Sequence, residues 1–278
     1  SVERDALAVG EQLQLAEKAK AKRAELESGL VYLENDLLTL IVRVGDGSIV
    51  EARANKHLVE NVEGSLGVRI FGSDAISGFK YYFKSGFTNT PSNYVFDRYV
   101  DGGLVLLSED GVYSKTIKFA ETSYEINITD ELVGVALSPG IPYASLYRTN
   151  SRALDMNFEF ASGGFINRSS YEAYALSTNQ DPYEADRLRS VDGPIGVTSS
   201  GGWIAFTQKY FLAALLGSDE YVYGYKIGQG KSGVYSMGYT VEPGDFSTGY
   251  VTDHTHRLFL GPKIRKDLVE RADNLEQT

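Results

Sequence analysis

The sequence predicts a mainly β protein of antiparallel sheets with a helix at each end. Between residues 30 and 260 the chain is rich in Tyr, Val, Ile, Thr, Phe and Gly, and short apolar runs alternate with turn residues. The predicted strands follow one another without helical periodicity between them, which favours a sandwich or barrel over a parallel α/β sheet. A span of about 230 residues lies within the range in which all-β folds form one domain.

The N-terminal residues 5–27 are predicted to form a helix, because Ala, Leu, Gln, Glu, Lys and Arg dominate this segment. Ser28-Gly29 is a typical helix end. The apolar stripe of this helix is narrow and consists mostly of Ala. We therefore expect residues 1–29 to form a weakly packed helical arm rather than part of the core.

The β region begins with a predicted hairpin. Apolar residues alternate from Leu38 to Val44, Gly45-Asp46-Gly47 turns the chain, and an apolar run resumes at Ile49.

Residues 170–202 are less regular and are predicted to cross the sheet surface as a long loop. Further strands are predicted at Gly78–Phe83, Tyr94–Val100, Leu104–Leu107, Tyr113–Phe119, Tyr124–Ile128, Ile141–Tyr147, Asn157–Phe160, Ile204–Thr207, Tyr221–Ile227, Val234–Val241, Ser247–Val251 and Arg257–Leu260.

The chain ends in a predicted amphipathic helix over residues 262–275. Pro262 would occupy the first helical position, where its missing N–H has no cost. We expect this helix to pack on the sheet and to position the domain over a membrane. The apolar residues at helical spacing are Ile264, Leu268, Ala272 and Leu275.

The composition excludes several classes of protein. The 278 residues include 27 Lys and Arg against 37 Asp and Glu, and the resulting charge of −10 argues against a nucleic-acid partner. Without Cys, the chain has no disulfide scaffold, no thiol nucleophile and no Cys₄ zinc site. Three His leave little room for a histidine-rich metal centre, and we expect no cofactor.

Two groups of polar residues are candidate chemical sites. His254 and His256 would share one face of a strand and could reach one metal ion. Because no third ligand is evident, we favour the interpretation that both histidines are polar residues on the solvent face of an edge strand and bind no metal. Asp181, Glu184 and Asp186 lie in the irregular segment and are interpreted as solvated loop charges. The sequence contains neither a Gly-x-Ser-x-Gly elbow nor a phosphate-binding loop.

Three Tyr residues, Tyr221, Tyr223 and Tyr225, alternate along one predicted strand. Such a ladder can bind sugars, lipids or peptides through its flat amphipathic rings. Cross-strand aromatic pairs more often stabilise a sheet, and we favour this structural role.

Two segments in the last third of the chain form a distinctive pair. The first is GGWIAFTQKYF at residues 201–211, and the second is RLFLGPK at residues 257–263, which leads into the predicted helix. Their order and separation resemble the large periplasmic domain of the YidC/Oxa/Alb family of bacterial membrane protein insertases. The hairpin from Leu37 to Ala52 resembles the first hairpin of that domain. The resemblance covers residues 30–278.

The resemblance implies a β-supersandwich over residues 30–278, similar to galactose mutarotase and related carbohydrate-binding folds. It also implies that transmembrane helices flank this chain and are absent from it. A sequence without an initiator Met or an apolar stretch of about 18 residues agrees with that expectation. The helical arm would then follow the removed first transmembrane helix.

The resemblance further implies a non-catalytic role on the periplasmic side of the bacterial inner membrane. The domain would assist the insertion and folding of inner-membrane proteins through the Sec translocon, SecD–SecF and SecYEG, and would meet nascent membrane proteins. No catalytic, metal-binding or cofactor-binding residue carries over. The residues that we expect to make structural or partner contacts are Trp203, Phe206, Gln208, Tyr210, Phe211, Gly261, Pro262, Ile264 and Leu268.

Other functions remain open from the sequence. An aldose epimerase-like enzyme on the same fold would need a His acid and a carboxylate base facing a sugar in a cleft. A carbohydrate- or peptide-binding module would need an exposed aromatic platform in a groove. An elongated cleft could also hold a hydrophobic nascent segment, a hypothesis motivated by the Tyr and Phe content.

Overall fold

A computed structural model describes residues 29–59, 65–73, 79–89, 93–134, 140–149, 173–230, 233–242 and 251–278. These residues form 18 strands and one α-helix, so the mainly β prediction is confirmed. The helix predicted at 5–27, the strand predicted at 157–160 and nearly all of the strand predicted at 247–251 lie outside the described residues. Within the described ranges, no helix has the length and apolar character needed to span a membrane.

The strands agree with most of the predicted positions and extend several of them. In chain order they are β1 (Leu30–Glu34), β2 (Leu38–Arg43), β3 (Ser48–Leu58), β4 (Gly67–Phe71), β5 (Tyr81–Phe87), β6 (Tyr94–Val100), β7 (Gly103–Ser108), β8 (Tyr113–Phe119), β9 (Glu125–Leu132), β10 (Pro142–Thr149), β11 (Ala173–Ser177), β12 (Glu184–Arg187), β13 (Ile195–Ser200), β14 (Trp203–Thr207), β15 (Phe211–Leu216), β16 (Val222–Gln229), β17 (Val234–Val241) and β18 (Asp253–Pro262).

The strands pair in two antiparallel sheets. Sheet 1 has the order β1-β2-β3-β5-β10-β17-β16-β13, and β4 pairs with β3 at its side. Sheet 2 has the order β12-β11-β14-β15-β18-β9-β8-β7-β6. The two sheets pack face to face, since the ring of Tyr81 in sheet 1 meets that of Phe206 in sheet 2 at a centroid distance of 5.8 Å.

Sheet 1 is buried on one face only. Along β10, Ala144 and Leu146 point into the core, whereas Tyr143, Ser145 and Tyr147 face outward and are partly exposed. This alternation is typical of an antiparallel sheet with one solvated face, and it allowed β10 to be predicted from the sequence.

Around β14, the outer face of sheet 2 is covered by the C-terminal segment, residues 263–278. Every residue of β14 is buried, so β14 has apolar residues in succession rather than in alternation. The indole Nε1 of Trp203 donates a hydrogen bond to the carbonyl oxygen of Asp273, at 2.8 Å, which ties the segment to the start of β14. Leu268 and Leu275 are 1% and 0% exposed, as predicted for the docked face.

The predicted length of the C-terminal helix is wrong. Pro262 is the last residue of β18, where it pairs with Phe211, and the helix α1 spans only Arg265–Val269. Asn274 then adopts a left-handed conformation with φ of 65° and precedes a 3₁₀ turn at Leu275–Gln277. The apolar spacing identified the buried face but could not show that the backbone changes conformation along it.

The long loop predicted over residues 170–202 is also wrong. This segment holds β11, β12 and β13. Every residue of β11 is buried and every residue of β12 is exposed, so neither strand shows the alternation that identifies a half-buried strand. β12 and β13 end their sheets among the described strands, which explains their polar character.

Replacing Leu268 by Ala is expected to lower the free energy of unfolding by about 2–5 kcal/mol, because the truncation leaves a cavity under α1. Val269→Ala is the matched control, since Val269 is 54% exposed, and it should change stability by about 0.5 kcal/mol or less. Deletion of residues 262–278 should also lower the melting temperature. Urea denaturation measures the variants, and equal stabilities of L268A and V269A would contradict a docked C-terminal segment.

Candidate functional site

The glycines of the first distinctive segment form the turn between β13 and β14. Gly201 and Gly202 have φ of 62° and 85°, in the left-handed region that favours glycine. A Cβ atom on Gly202 would lie 2.3 Å from the carbonyl oxygen of Ser177. The pair therefore allows β14 to begin close to β11, with Trp203 1% exposed at the first position.

The polar and aromatic residues that follow join the two sheets. Phe206 is 0% exposed and packs edge-on against Tyr81. Gln208 donates from Nε2 to the carbonyl oxygen of Ile70, in β4, at 3.1 Å. These contacts give Phe206 and Gln208 structural roles.

The second segment is shaped by close packing near the end of β18. Gly261 pairs with Leu212, and a Cβ atom on Gly261 would lie 2.8 Å from the side chain of Tyr124. Phe211, opposite Pro262, packs edge-on against His57 with centroids 5.6 Å apart. At position 261 there is no room for a Cβ atom, so glycine is required there.

Two of the nine candidate contact residues are open to solvent. Tyr210 is 63% exposed in the β14–β15 turn, and Ile264 is 43% exposed after β18. They lie close together, because the backbone N–H of Lys263 donates to the carbonyl oxygen of Tyr210 at 2.8 Å. A role of these residues in contacting a partner stays a prediction.

The interpretation of His254 and His256 as solvent-facing residues of an edge strand is wrong. β18 lies between β15 and β9, well inside sheet 2. The two side chains are 2% and 0% exposed. Both histidines share the inward register of Leu258 and Leu260, and this alternation is the sequence signal that could have identified them as core residues.

A buried polar network joins the two sheets around His256. Lys115 Nζ donates to the carboxylate of Asp130 and, at 2.8 Å, to Ser85 Oγ. The hydroxyl of Ser85 donates to Asp130 Oδ2 at 2.6 Å, and His256 Nε2 lies 3.4 Å from the same oxygen. His256 Nδ1 is hydrogen-bonded to the hydroxyl of Tyr239 at 3.0 Å.

Sequence reasoning missed this network, although one signal was present. Lys115 lies between Tyr113 and Ile117 in a strand whose odd-numbered positions are apolar, so its register pointed into the core. The partner Asp130 lies opposite Lys115 in the β8–β9 pair. That pairing depends on strand register, which the sequence does not show.

Burial and charge determine how the network ionises. Burial opposes ionisation of Asp130, but Lys115 and His256 outweigh it and lower the pKa of Asp130 to about 2. Burial lowers the pKa of His256, although Asp130 opposes this shift. Burial, reinforced by His256, lowers the pKa of His254 to about 3. At neutral pH, Asp130 is therefore ionised and both histidines are neutral.

The network contains an acid and a base but has no opening for a substrate. Asp130 is 1% exposed, and the nearby histidines are equally sealed. Glu184 and Asp186 are exposed on β12, in agreement with their interpretation as solvated charges. No group of three or more potential ligands that could hold a metal ion occurs in the described part of the chain.

The Tyr ladder has the structural role that we favoured. Tyr223 and Tyr225 are 2% and 1% exposed, and both rings pack against Tyr239, at centroid distances of 4.6 and 5.8 Å. These rings fill the space between the sheets and offer no binding platform.

The outer face of sheet 1 holds an open groove across β10, β17 and β16. Its volume is about 370 Å³. On the same face, Tyr82 and Tyr147 stack with centroids 4.8 Å apart. The residues that line the groove include Tyr143, Ser145, Gly224, Lys226, Ser236 and Thr240.

Sequence comparisons with known proteins identify one family. A family model of the YidC periplasmic domain matches residues 30–278. The membrane protein insertase YidC of Hahella chejuensis is 34% identical over 185 residues, which are 61% of this chain and 30% of that protein. The YidC of Coxiella burnetii is 26% identical over 91% of this chain and 47% of that protein. The YidC of Pseudomonas putida is 26% identical over 95% of this chain and 50% of that protein.

This chain thus spans half or less of the length of these relatives. Among solved structures, the Slr1438 protein from Synechocystis sp. PCC 6803 is 9% identical, with a TM-score of 0.42 over 82% of this chain and 93% of that one. The two antiparallel sheets form a sandwich-like β fold, and its galactose mutarotase-like label stays a prediction. Because the family model covers residues 30–278, this chain belongs to the YidC periplasmic domain family of membrane protein insertases.

Proposed function

We propose that this chain is a non-catalytic binding domain on the periplasmic side of a bacterial inner membrane. One observation carries the proposal. The groups that could perform acid–base chemistry, Asp130 and His256, are 1% and 0% exposed between the sheets, whereas the outer face of sheet 1 keeps an open groove. An aldose epimerase-like activity would need such groups to face a sugar in a cleft.

The groove is suited to an extended polypeptide. Ser145, Gly224 and Ser236 have short side chains, so a bound backbone can approach the sheet closely. Tyr143 and the stacked pair of Tyr82 and Tyr147 place flat amphipathic rings beside it. Such rings contact apolar side chains while their hydroxyls stay hydrated, which suits a nascent membrane-protein segment in transit.

The family supplies the context for this binding. The relatives are named membrane protein insertases. We propose that the domain assists insertion and folding of inner-membrane proteins, with SecD–SecF and SecYEG of the Sec translocon as its neighbours.

Site-specific photo-cross-linking tests the groove. A photoreactive amino acid replaces Ser236 in the insertase that carries this domain, and ribosome-stalled inner-membrane proteins serve as substrates. We expect adducts with the nascent chain or with SecD–SecF. Thr255, on the outer face of sheet 2, is the control position. Equal adduct yields at Ser236 and Thr255, or none at Ser236, would contradict the proposal.

A further inference from the structure

Four cations meet two exposed apolar side chains where the β14–β15 turn lies beside the end of β18. The two segments are joined by the hydrogen bond from Lys263 N–H to the Tyr210 carbonyl oxygen and by the pairing of Phe211 with Pro262. We call this surface the basic end. It consists of Lys209, Tyr210, Lys263, Ile264, Arg265 and Lys266.

The charge of the basic end is opposite to that of the chain. The chain carries a net charge of −10, yet residues 203–218 and 254–266 contain no Asp or Glu. None of the four cations forms an ion pair with a residue that the structure describes. Asp267, the next acidic residue, is partly buried. The basic end therefore presents a local excess of positive charge to an approaching surface.

Exposed apolar groups lie among these cations. Tyr210 is 63% exposed, and Lys209 Nζ lies 4.9 Å from the centroid of its ring. Ile264 is 43% exposed beside Arg265. Tyr and aliphatic side chains flanked by Lys and Arg are typical of surfaces that lie at the boundary between lipid headgroups and acyl chains.

The basic end lies beside the end of β3 in sheet 1. Phe211 follows Tyr210 and packs against His57, at 5.6 Å between ring centroids. Leu58, next to His57, is 43% exposed, and Leu66, which precedes β4, is 65% exposed. These leucines are further exposed apolar groups at the end of β3 and before the start of β4.

We propose that the basic end docks this domain on an anionic phospholipid surface. The phosphates of the headgroups would pair with Lys209, Arg265 and Lys266, and the side chains of Tyr210 and Ile264 would enter the headgroup boundary. The apolar residues distinguish a lipid surface from a purely ionic partner, which would leave Tyr210 and Ile264 without a role. This inference does not depend on the groove of sheet 1.

Vesicle flotation of this chain tests the proposal. Vesicles of phosphatidylcholine are compared with vesicles of phosphatidylcholine and phosphatidylglycerol, whose anionic headgroups give the surface a negative potential. We expect binding only with phosphatidylglycerol and a decrease at high salt. Lys209→Ser with Lys266→Ser should weaken binding about 25-fold, since each cation near an anionic surface contributes about fivefold.

A matched double variant separates local charge from net charge. Lys80→Ser with Lys118→Ser removes two exposed lysines away from the basic end and gives the same net charge as the first double variant. It should bind vesicles as the parent chain does. Tyr210→Ser should weaken binding at constant charge. The proposal is overturned by equal losses in the two double variants, or by binding of acidic polypeptides without binding of vesicles.

Discussion

Replacing Lys115 by Met is expected to lower the free energy of unfolding by about 3–5 kcal/mol, the largest effect that the structure predicts for a single substitution. Lys115 and Asp130 are 0% and 1% exposed and form an ion pair between β8 and β9. Met fills the volume of the lysine stem but leaves the Asp130 carboxylate buried without its counter-charge. Urea denaturation at pH 7 measures the difference.

Removing both charges together should restore most of this loss. Lys115→Met with Asp130→Leu leaves no buried ion, and apolar replacements of a buried pair are often close to neutral. Lys118→Met is the control on the same strand, because Lys118 is exposed, and it should change stability by about 0.5 kcal/mol or less. A K115M variant as stable as K118M would show that Asp130 is hydrated or protonated in the folded chain.

The buried polar network also explains how the two sheets are positioned on one another. Lys115, Asp130 and His256 come from three neighbouring strands of sheet 2, whereas Ser85 and Tyr239 come from sheet 1. Apolar contacts between the sheets tolerate small shifts, but these hydrogen bonds are satisfied at one relative placement. We infer that the network selects that placement, because a partly satisfied buried network is costly.

The sequence predicted strands where the chain has one solvated face. β2, β3 and β10 alternate in polarity because one side of sheet 1 meets water, and all three were identified. β11 was missed because sheet 2 is covered there on both sides, so its burial is continuous. Polar and apolar residues alternate only where one face of a strand is exposed to solvent. Whether a face is exposed depends on elements distant in sequence, such as the C-terminal segment.

The candidate site was predictable in part. The segment at residues 201–211 indicated the family, but its residues mostly stabilise the fold: Trp203 holds the C-terminal segment and Gln208 bridges to β4. The buried network was not predicted, because its ion pair joins side chains whose proximity is determined by strand pairing. The groove of sheet 1 was equally hidden, since it lies between the β16–β17 hairpin and β10, which is distant from that hairpin in the chain.

The stability of the domain is expected to fall steeply as the pH drops below about 6. The pKa of His254 is lowered to about 3, and that of His256 is also lowered. In the unfolded chain these imidazoles bind protons near pH 6.5. Between about pH 6.5 and pH 3 the unfolded state binds a proton at His254 that the folded state lacks, so stability decreases with falling pH by about 1.4 kcal/mol per unit from His254. His256 adds to this loss in the same direction. Asp130 adds a further loss below about pH 4, because its folded pKa is about 2.

Replacing His254 by Phe should reduce this dependence by about 1.4 kcal/mol per pH unit between pH 6 and pH 4. Neither ring nitrogen of His254 has a hydrogen-bond partner among the described residues, so Phe removes a proton-binding group without breaking a bond. Stability at pH 7 should therefore change little, since a Phe ring keeps the contacts of the imidazole. The groups that face His254 are Tyr221, Tyr223, Tyr239, His256 and, through its charge, Asp130.

The slope of stability against pH, rather than stability itself, identifies the role of His254. Leu260→Ala, at another inward position of β18, should lower stability by a similar amount at every pH and leave the slope unchanged. Thermal unfolding at half-unit pH intervals measures both variants. If H254F kept the slope of the parent chain, His254 would bind protons equally in the folded and unfolded states, which a side chain only 2% exposed and without a counter-charge in contact should not do.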